Sequence, residues 1–323
     1  MADFKLTVTA EGRTQQVSDF AQLSWGGSDR DAARTLTVAV PLSCLCPLGA
    51  VISLDYRGDR IFSGYIWERE RETNGHLIEL RCYDRGIYLK QNQETVKWRG
   101  TPEALGAKLC RDYSIPAGTF ARTSQSIRRN FMGVDLYCCL MTAYTMASER
   151  TGKRYVARFR GERLEVAVKA IEADSPRLEP GRNILRLSAR DSLEGLVTDV
   201  EVYDDKYRLV TTYRGSPSLR RLYGRMTQHI RQSKDGDTAG EARQILEDGG
   251  VQSTISAECL GDPCLVAGTA VVVREPQTGT NGEFWITSDR HTVERGIYRT
   301  RVDLDCRCLM DEQSAGTQPA KKD

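Results

Sequence analysis

The same order of strand and turn signals occurs twice along the chain, and this recurrence constrains the fold more than any other feature of the sequence. The fragment SDRDAARTL (residues 28–36) shares a serine, an Arg-Asp pair and a final leucine with SARDSLEGL (residues 188–196). After each fragment a glycine, Gly49 or Gly268, precedes an apolar strand, AVISLDY or TAVVVRE. A shared order of this kind is expected when one β unit has been duplicated.

The later parts of the two regions also correspond. Each has an aromatic strand, IFSGYIWERE or EFWITSDRH, in which Phe62 is matched with Phe284 and Ile66 with Ile286. A glycine turn then leads into a final alternating strand, HLIELRCYD or IYRTRVDLD. Alternation with period two is typical of strands that bury one face, so both regions are predicted to be antiparallel β units.

The two regions differ in one spacing. Ser28 lies 21 positions before Gly49, whereas Ser188 lies 80 positions before Gly268. The excess of 59 positions predicts an insertion into the second copy at about residues 204–262. A helix is predicted inside it over TAGEARQILEDGG, which ends at two glycines.

Between the two β regions the rhythm changes to that of helices. Thr101 is placed as a helix N-cap with Pro102 in the first turn, and a second helix is predicted over DLYCCLMTAYTMASERTG. A hairpin that turns at Arg160-Gly161 follows. We therefore expect a mainly β fold with α+β insertions. It would contain two antiparallel β-barrels that are related by internal duplication. Its parts are a first barrel (1–95), an α+β insert domain (96–172) and a second barrel (173–323) with a disordered polar tail from about 312.

Composition excludes several classes of protein. Lys and Arg number 46 and Asp and Glu 44, for a formal charge of +2, and the two signs are interspersed along the whole chain. A sequence-specific nucleic-acid surface is therefore not expected. The start MADFKLTVTA lacks the pattern of a secretory leader, and no window is apolar enough for a membrane anchor, so cytoplasmic assembly is expected.

Ten cysteines are scattered along the chain, two of them adjacent in a predicted helix. The Cys44/Cys46 and Cys306/Cys308 pairs would each place two thiols on one face of a strand, which raises the alternative of a metal pair. Because no Cys-x-x-Cys pair accompanies them, we expect reduced, mostly buried thiols, no metal and no cofactor.

An enzyme is the natural rival interpretation. A Cys-His hydrolase would need Cys82 or Cys306 beside one of the three histidines, His76, His229 and His291. Carboxylate pairs occur at Asp204/Asp205 and at Glu68/Glu70, but a glycosidase needs a set separation that sequence does not show. Phosphate-loop, zinc-protease and nucleophile-elbow signatures are absent from the sequence, so no catalytic residue is assigned.

A carbohydrate-binding module is the third interpretation, with stacking tyrosines in the insert. The candidates are Tyr113, Tyr137, Tyr144 and Tyr155. Tyr137 and Tyr144 share a helix face, where packing in a core is the commoner reason for aromatic residues.

The pattern W-x-G-x-x-x-x-A-A-R-x-L, at Trp25, Gly27, Ala32-Ala33, Arg34 and Leu36, resembles the opening of phage tail hub proteins of the XkdQ/YqbQ type. Later stretches agree in order, namely SIPAG, TGKRYVAR with GERLEV, and GEFWITSDRHTVERGIYRTRVDLD. The segment GGSDRDAAR and the number of cysteines differ from the usual sequences of this family.

The resemblance implies two tail-tube-like barrels in a structural baseplate hub of a contractile phage tail, prophage or phage-tail-like bacteriocin. Such a hub is a homotrimer that adapts the sixfold tail tube to the threefold central spike. Its implied partners are the tail tube protein, the central spike protein, and other baseplate and tube-initiator proteins, with the tape-measure protein passing through its pore. The alternative is a tail-associated cell-wall-binding module or peptidoglycan hydrolase. Assembly would take place in the cytoplasm of the host bacterium, before the hub is part of the virion baseplate.

Three residues of the resemblance leave alternatives open. Arg34 would make a contact between subunits or, as is more common for an arginine on a strand face, be solvated or paired locally. Trp25 and Trp285 would anchor interfaces or pack in the core, with the core the equal or better choice.

Overall fold

The computed structural model describes residues 3–233 and 237–319. Contacts divide the chain into two compact units, the first made of Met1–Leu187 with Ser256–Asp323 and the second of Ser188–Ile255. The division of the sequence at 1–95, 96–172 and 173–323 stays a prediction. No helix in the described part of the chain is long and apolar enough to cross a membrane.

Strands predominate over helices along the described chain. The first seven strands are β1 (Phe4–Ala10), β2 (Arg13–Val17), β3 (Ala21–Ser28), β4 (Thr35–Pro41), β5 (Val51–Tyr56), β6 (Asp59–Arg71) and β7 (Leu77–Asp84). The insert contains α1 (Ile87–Gln91), β8 (Gln93–Gly100), α2 (Pro102–Asp112), β9 (Ala117–Phe120), β10 (Ile127–Asp135), α3 (Leu136–Thr151), β11 (Tyr155–Arg160) and β12 (Arg163–Val168). Then follow β13 (Arg177–Leu178), β14 (Ile184–Ser192), β15 (Asp199–Tyr203), β16 (Leu209–Arg214), α4 (Pro217–Tyr223), β17 (Thr227–Arg231), α5 (Thr238–Asp248), β18 (Gln252–Leu260), β19 (Ala270–Glu275), β20 (Thr280–Glu294) and β21 (Ile297–Asp305).

Except for β15 (Asp199–Tyr203), which belongs to a three-stranded sheet, the strands predicted for two barrels belong to one thirteen-stranded sheet. Its order is β14-β18-β21-β20-β3-β4-β7-β6-β5-β1-β2, with β19 paired to β20 and β13 to β19. The order contains two successive runs of four strands. We call β3-β4-β7-β6 the first run, because it comes first along the chain, and β14-β18-β21-β20 the second run. Corresponding strands have the same position in both runs. The mainly β class is confirmed, and the two runs join where β20 pairs with β3.

Gly49 and Gly268 occupy the same local structure in the two runs. The N–H of Gly49 donates to the carbonyl of Ile66 at 2.8 Å, and the N–H of Ile66 donates to the residue after the glycine at 2.9 Å. Gly268 and Ile286 are joined in the same way, at 2.7 and 2.9 Å. Both glycines have positive φ, +81° and +86°, which explains why the sequence has glycine at each place.

A β-bulge follows at the same point in each run. The register of β6 against β7 shifts at Trp67, and the register of β20 against β21 shifts at Thr287. Each bulge lies one residue after the isoleucine that bonds to the glycine turn. A bulge bends a strand and increases its twist, so the two long strands change direction at corresponding places.

One predicted match is wrong in register. Phe62 lies four residues before Ile66, but Phe284 lies only two before Ile286. The place of Phe284 in its strand pair is taken in the first run by Gly64, which lies two residues before Ile66. Both phenylalanines are buried, so the shared aromatic reflects the need for core packing.

The match between SDRDAARTL and SARDSLEGL does not align in the strands either. Ser28 is the last residue of β3, whereas Ser188 is the fifth of nine in β14. The order of strands therefore repeats more closely than the individual letters do.

The insert folds largely as its sequence predicts. The Thr101 side chain accepts a hydrogen bond from the N–H of Ala104 and caps α2, and Gly152, with φ of +69°, ends α3. Pairing of β11 with β12 forms the predicted hairpin. Its core contains seven residues of α3, including Leu140 and Tyr144.

The polar segment after residue 311 makes several hydrogen bonds to the insert, and the disordered tail from about 312 stays a prediction. Thr317 exchanges two backbone hydrogen bonds with Asn130 of β10. Hydroxyls of Thr142 and Thr145 on α3 accept from backbone N–H groups of the segment, at 2.9 and 3.1 Å. Polar side chains of the insert therefore replace the apolar contacts that the segment lacks.

The second unit is a small sheet of order β16-β15-β17 with α4 and α5. Its central strand β15 is buried for four of five residues, whereas α4 has no buried residue. The predicted helix over TAGEARQILEDGG is confirmed as α5, which the Asp237 side chain caps.

Gly26 provides a test of how closely β3 and β20 must approach. A methyl group at Gly26 would clash with the backbone carbonyl of Asp289 in β20, which cannot move without separating the strands. We expect Gly26→Ala to lower the free energy of unfolding by about 2 kcal/mol or more. Gly250→Ala is the control, because its new methyl group would make only an ordinary contact. Chemical denaturation measures both, and equal stability of the two variants would contradict the close approach.

Candidate functional site

The join between the two runs of the sheet is the most specific polar site in the described chain. β3 and β20 pair antiparallel from Ser28 opposite Ser288 to Leu23 opposite Val293. Within this pairing Gly27 lies opposite Asp289. We call this strand pair, with the residues bound to it, the junction.

Arg34 and Asp289 form a buried two-pronged ion pair at the junction. The guanidinium donates from Nη1 to Oδ1 at 2.8 Å and from Nη2 to Oδ2 at 2.5 Å. The Asp289 side chain is fully buried, and its Oδ1 also accepts from the N–H of Ala267 at 2.7 Å. A methyl group at Gly27 would press on the Arg34 side chain, so the glycine leaves the arginine room to reach across.

An aromatic and a histidine complete the junction on its buried side. Trp25 stacks on His291 with ring centroids 4.9 Å apart and an angle of 5° between the planes. His291 Nε2 lies 3.1 Å from Asp289 Oδ2. Its Nδ1 lies 2.9 Å from the Tyr298 hydroxyl and 3.1 Å from that of Thr300. The imidazole is thus held by hydroxyls at Nδ1 and lies at ion-pair distance from Asp289 at Nε2.

The charge state of Asp289 follows from these contacts. Burial acts to raise the pKa of its carboxyl, but the Arg34 charge and the hydrogen bonds from His291 and Arg34 lower that pKa to about 2. The carboxylate is therefore ionised at neutral pH. A carboxylate ionised in the interior is stable only while its cation remains.

Asp84, at the end of β7, has the opposite behaviour. Its Oδ1 accepts from the N–H of Arg34 at 3.1 Å and from the N–H of Gly86 at 2.8 Å. Burial raises the pKa of the Asp84 carboxyl to about 7, against the effect of these two N–H groups and the Arg34 charge. The Asp84 carboxyl therefore holds the backbone N–H of Arg34 in place, and it titrates near neutral pH.

A second buried ion pair attaches the insert near the junction. Lys169 donates to Asp29 Oδ2 and to the carbonyl of Leu309, both at 2.7 Å. Its ammonium also lies 5.4 Å from the centroid of the Trp285 ring. Burial raises the pKa of Asp29, whereas the hydrogen bond and charge of Lys169 oppose that rise. These contacts connect the loop after β3, the end of β12 and β20.

The exposed face of the sheet beside the junction forms a polar groove of about 710 Å³. It is lined by backbone and small side chains of β3 and β4 and by charged side chains of the neighbouring strands. These side chains belong to Glu68, Arg69, Glu70, Glu79, Arg81 and Arg290, while Asp289, whose side chain is fully buried, lines the groove with its backbone. The Glu68/Glu70 pair considered for a glycosidase therefore lies on an open sheet face.

The structure separates the residues proposed for a Cys-His hydrolase. Cys82 is fully buried in the core of the first run, and burial raises the pKa of its thiol. His229 lies beside Glu201, and His291 lies in the junction. In residues 3–233 and 237–319 no histidine lies within hydrogen-bonding distance of a cysteine thiol.

The other candidates are mostly structural. Tyr137, Tyr144 and Tyr155 are at most 6% exposed and pack in the insert core, which removes them from a stacking surface. Within the described residues, no group of three or more His, Cys, Asp or Glu side chains is arranged to hold a metal ion. Cys44 and Cys46 are buried thiols in the core of the first run.

The structure decides between the alternatives for the arginine and the two tryptophans. Arg34 pairs within its own chain, which is the local alternative. Trp25 and Trp285 are 3% and 6% exposed, so both belong to the core. The partners Asp289, Lys169 and Asp84 were missed by sequence reasoning. For Asp289 a signal existed, because it falls on the buried face of an alternating strand and so requires a cation.

Known proteins with a similar sequence or fold include a phage-like element protein, a prophage tail protein and a component of a secretion system. The phage-like element PBSX protein XkdQ of Bacillus subtilis (strain 168) is 22% identical over 268 residues, which are 79% of this chain and 81% of XkdQ. The 43 kDa tail protein of prophage MuSo2 from Shewanella oneidensis superimposes with a TM-score of 0.68 at 13% identity, over 93% of this chain and 98% of that one. The E. coli c3393 protein, a component of the type VI secretion system, has a TM-score of 0.52 at 14% identity, over 98% and 79%.

These superpositions show that the chain shares the fold of the prophage tail protein and of c3393. The family model described as YQBQ-like matches residues 23–305, and the chain belongs to that family. The resemblance to XkdQ/YqbQ-type proteins is thereby confirmed. The matched segment begins in β3 and ends with β21, so it spans the strands of the junction from first to last.

Removing the Arg34 cation tests how much its ion pair with Asp289 contributes to the free energy of unfolding. Arg34→Met leaves Asp289 buried without its guanidinium partner, and we expect a loss of about 3 to 5 kcal/mol in the free energy of unfolding. Arg57→Met removes an exposed pair with Asp3 and should cost less than about 1 kcal/mol. Denaturant unfolding at pH 7 compares them, and a small loss for the Arg34 variant would contradict a dominant role for this pair.

The Asp84 carboxyl predicts a pH dependence of stability. Because its pKa is raised in the folded protein, the unfolded chain releases this proton at lower pH, so folding stability falls as pH rises from about 4 to about 7. The full effect is at most about 4 kcal/mol. Asp84→Asn keeps the acceptor oxygen without the ionisation, so its stability should exceed that of the wild type above pH 7 and match it near pH 4. Asp59→Asn, at an exposed carboxylate, is the control in thermal unfolding across this range. A wild-type profile parallel to that of Asp84→Asn would contradict the assignment.

Proposed function

We propose that the protein is a structural baseplate hub of a contractile phage tail or phage-tail-like particle. In this proposal three copies form a ring that adapts the sixfold tail tube to the threefold central spike. The role is assembly, without a catalytic site.

The repeated arrangement in the sheet is the observation that carries this proposal. The two runs have the same strand order, the same glycine turn with the same pair of hydrogen bonds, and a bulge one residue later. We take them as products of an internal duplication. A ring of three chains would then present six similar sheet segments, which matches the repeat of a sixfold tube without six copies of the chain.

The parts that are not repeated support the threefold side of the adapter. The α+β insert and the second unit each occur once per chain. In a trimer they would therefore occur three times, while the sheet segments occur six times. A single chain thus carries features at both frequencies, as an adapter between the two symmetries requires.

The proposed partners follow from the same geometry. The tail tube protein would stack on the sixfold sheet ring, and the central spike would bind elements present three times. Other baseplate and tube-initiator proteins would surround them, and the tape-measure protein would pass through the pore. The proteins it matches in sequence or fold include phage tail proteins and a type VI secretion component, which agrees with such partners.

The mass of the purified protein tests the proposal. Light scattering at several concentrations, with negative-stain images of the main species, should give a trimer with six similar lobes around a pore. Co-purification with the tail tube and spike proteins of the same particle covers a ring that assembles only on a template. A stable dimer, or a monomer in both settings, would contradict the hub.

A further inference from the structure

We propose that neighbouring copies join through the outer half of β6 in one copy and β14 in the next, as an antiparallel pair built like the β20–β3 pair. The proposal rests on the hub function and names the surface through which the ring closes. It is carried by a pairing inside one chain. β20, which corresponds to β6, already pairs with β3, which corresponds to β14.

The outer half of β6 has an open edge. Before the bulge at Trp67 the strand pairs with β5 on one side, from Tyr56 opposite Asp59 to Val51 opposite Tyr65. After the bulge it continues along β7 to Arg71, but among the described residues no strand pairs with its other side. All five residues from Trp67 to Arg71 are exposed.

The corresponding part of β20 is not open. β20 pairs with β19 up to Trp285, passes its bulge at Thr287, and then pairs with β3 from Ser288 to Val293. The side of the strand that is free in β6 is therefore the side that β3 covers in β20. β3 therefore covers this side of β20 in the second run, whereas no strand in the described chain covers the same side of β6 in the first run.

β14 has the complementary open edge. It is the terminal strand of the sheet order and pairs with β18 on one side, as β3 pairs with β4. None of its nine residues is buried, whereas three of eight are buried in β3. Leu185 is 50% exposed in β14 and Trp67 is 39% exposed at the start of the other open edge. Both edges thus leave large apolar side chains uncovered.

The backbone groups at the β6 edge point in the direction required. The carbonyl of Thr287, at the β20 bulge, accepts from the N–H of Asp29, so alternate residues from Thr287 onward turn their backbone toward β3. By the same alternation, counted from Trp67, the N–H groups of Arg69 and Arg71 point toward the open edge. A strand laid there would receive hydrogen bonds as β3 does from β20.

A second copy of this chain is the occupant that these observations favour. Each copy offers both a β6 edge and a β14 edge, so the contact is head-to-tail and closes into a ring when the rotation allows it. The β6 edge alternates Glu68, Arg69, Glu70 and Arg71, and β14 contains Arg186, Arg190 and Asp191. Mixed charges on both strands limit pairing with unrelated edges and permit pairing with each other.

A proline substitution separates the backbone contribution from the side chain. Arg69→Pro removes one N–H from the open edge, whereas the matched variant Arg69→Ala removes the side chain and keeps that N–H. We expect Arg69→Pro to raise the concentration for half-assembly at least about tenfold, and Arg69→Ala to assemble nearly as the wild type does. Circular dichroism and thermal unfolding of the separated chains establish that both variants are folded.

Cross-linking then identifies the partner strand. A benzophenone side chain in place of Glu70 should link to peptides from residues 184–192 of another copy, and one in place of the exposed Met132 should not. Assembly of Arg69→Pro at wild-type concentrations, or links from position 70 to any other segment, would overturn the proposed contact and leave the trimer standing. A wild-type chain that never trimerises, with or without its tube and spike, overturns the hub and this contact with it.

Discussion

The ion pair between Arg34 and Asp289 is the interaction on which the rest of the structure depends. It lies where the two runs of the sheet meet, and it binds the loop before β4 to a strand more than 250 residues later in the chain. Because Asp289 is fully buried and ionised, separating β3 from β20 would expose an unpaired charge inside the protein or open the core to water. Asp84 supports the same arginine through its backbone N–H, and Lys169 binds the insert to Asp29 at the end of β3.

This junction explains the recognisable opening of the chain. Trp25 stacks on the histidine beside Asp289, Gly27 makes room for the arginine, Arg34 reaches the carboxylate, and Leu36 is fully buried in the core. The pattern that resembles XkdQ/YqbQ-type proteins is thus half of a contact whose other half lies in β20. Its function within the fold is to join two similar sheet segments edge to edge. The same kind of join, repeated between chains, is what a ring requires.

Elements with local signals could be predicted from the sequence. Thr101 and Pro102 predict the start of α2, the alternation of β4 and β7 predicts strands, and Gly49 and Gly268 precede strands as the structure has them. The pairing of β20 with β3 could not be predicted, because no local pattern indicates which edge strands meet across so long a separation.

The segment after residue 311 has few apolar groups, and composition does not reveal its hydrogen bonds to hydroxyls on α3 and to the edge of β10. The match of Phe62 with Phe284 follows residue type, whereas the strand register follows the bulges. Of the junction, sequence reasoning found Trp25 and Arg34 but missed Asp289, whose signal was a charged residue on a buried strand face.

A reconstruction of the assembled oligomer by electron cryomicroscopy tests the central claim most directly, because it shows how the sheet continues from chain to chain. Each chain contributes eight strands to the two runs. The predicted result is a closed wall of three chains in which every run of four strands pairs edge to edge with the next, with the α+β insert and the second unit each present three times. A complex in which the chains meet through other surfaces, with the edges of β6 and β14 left unpaired, would contradict it.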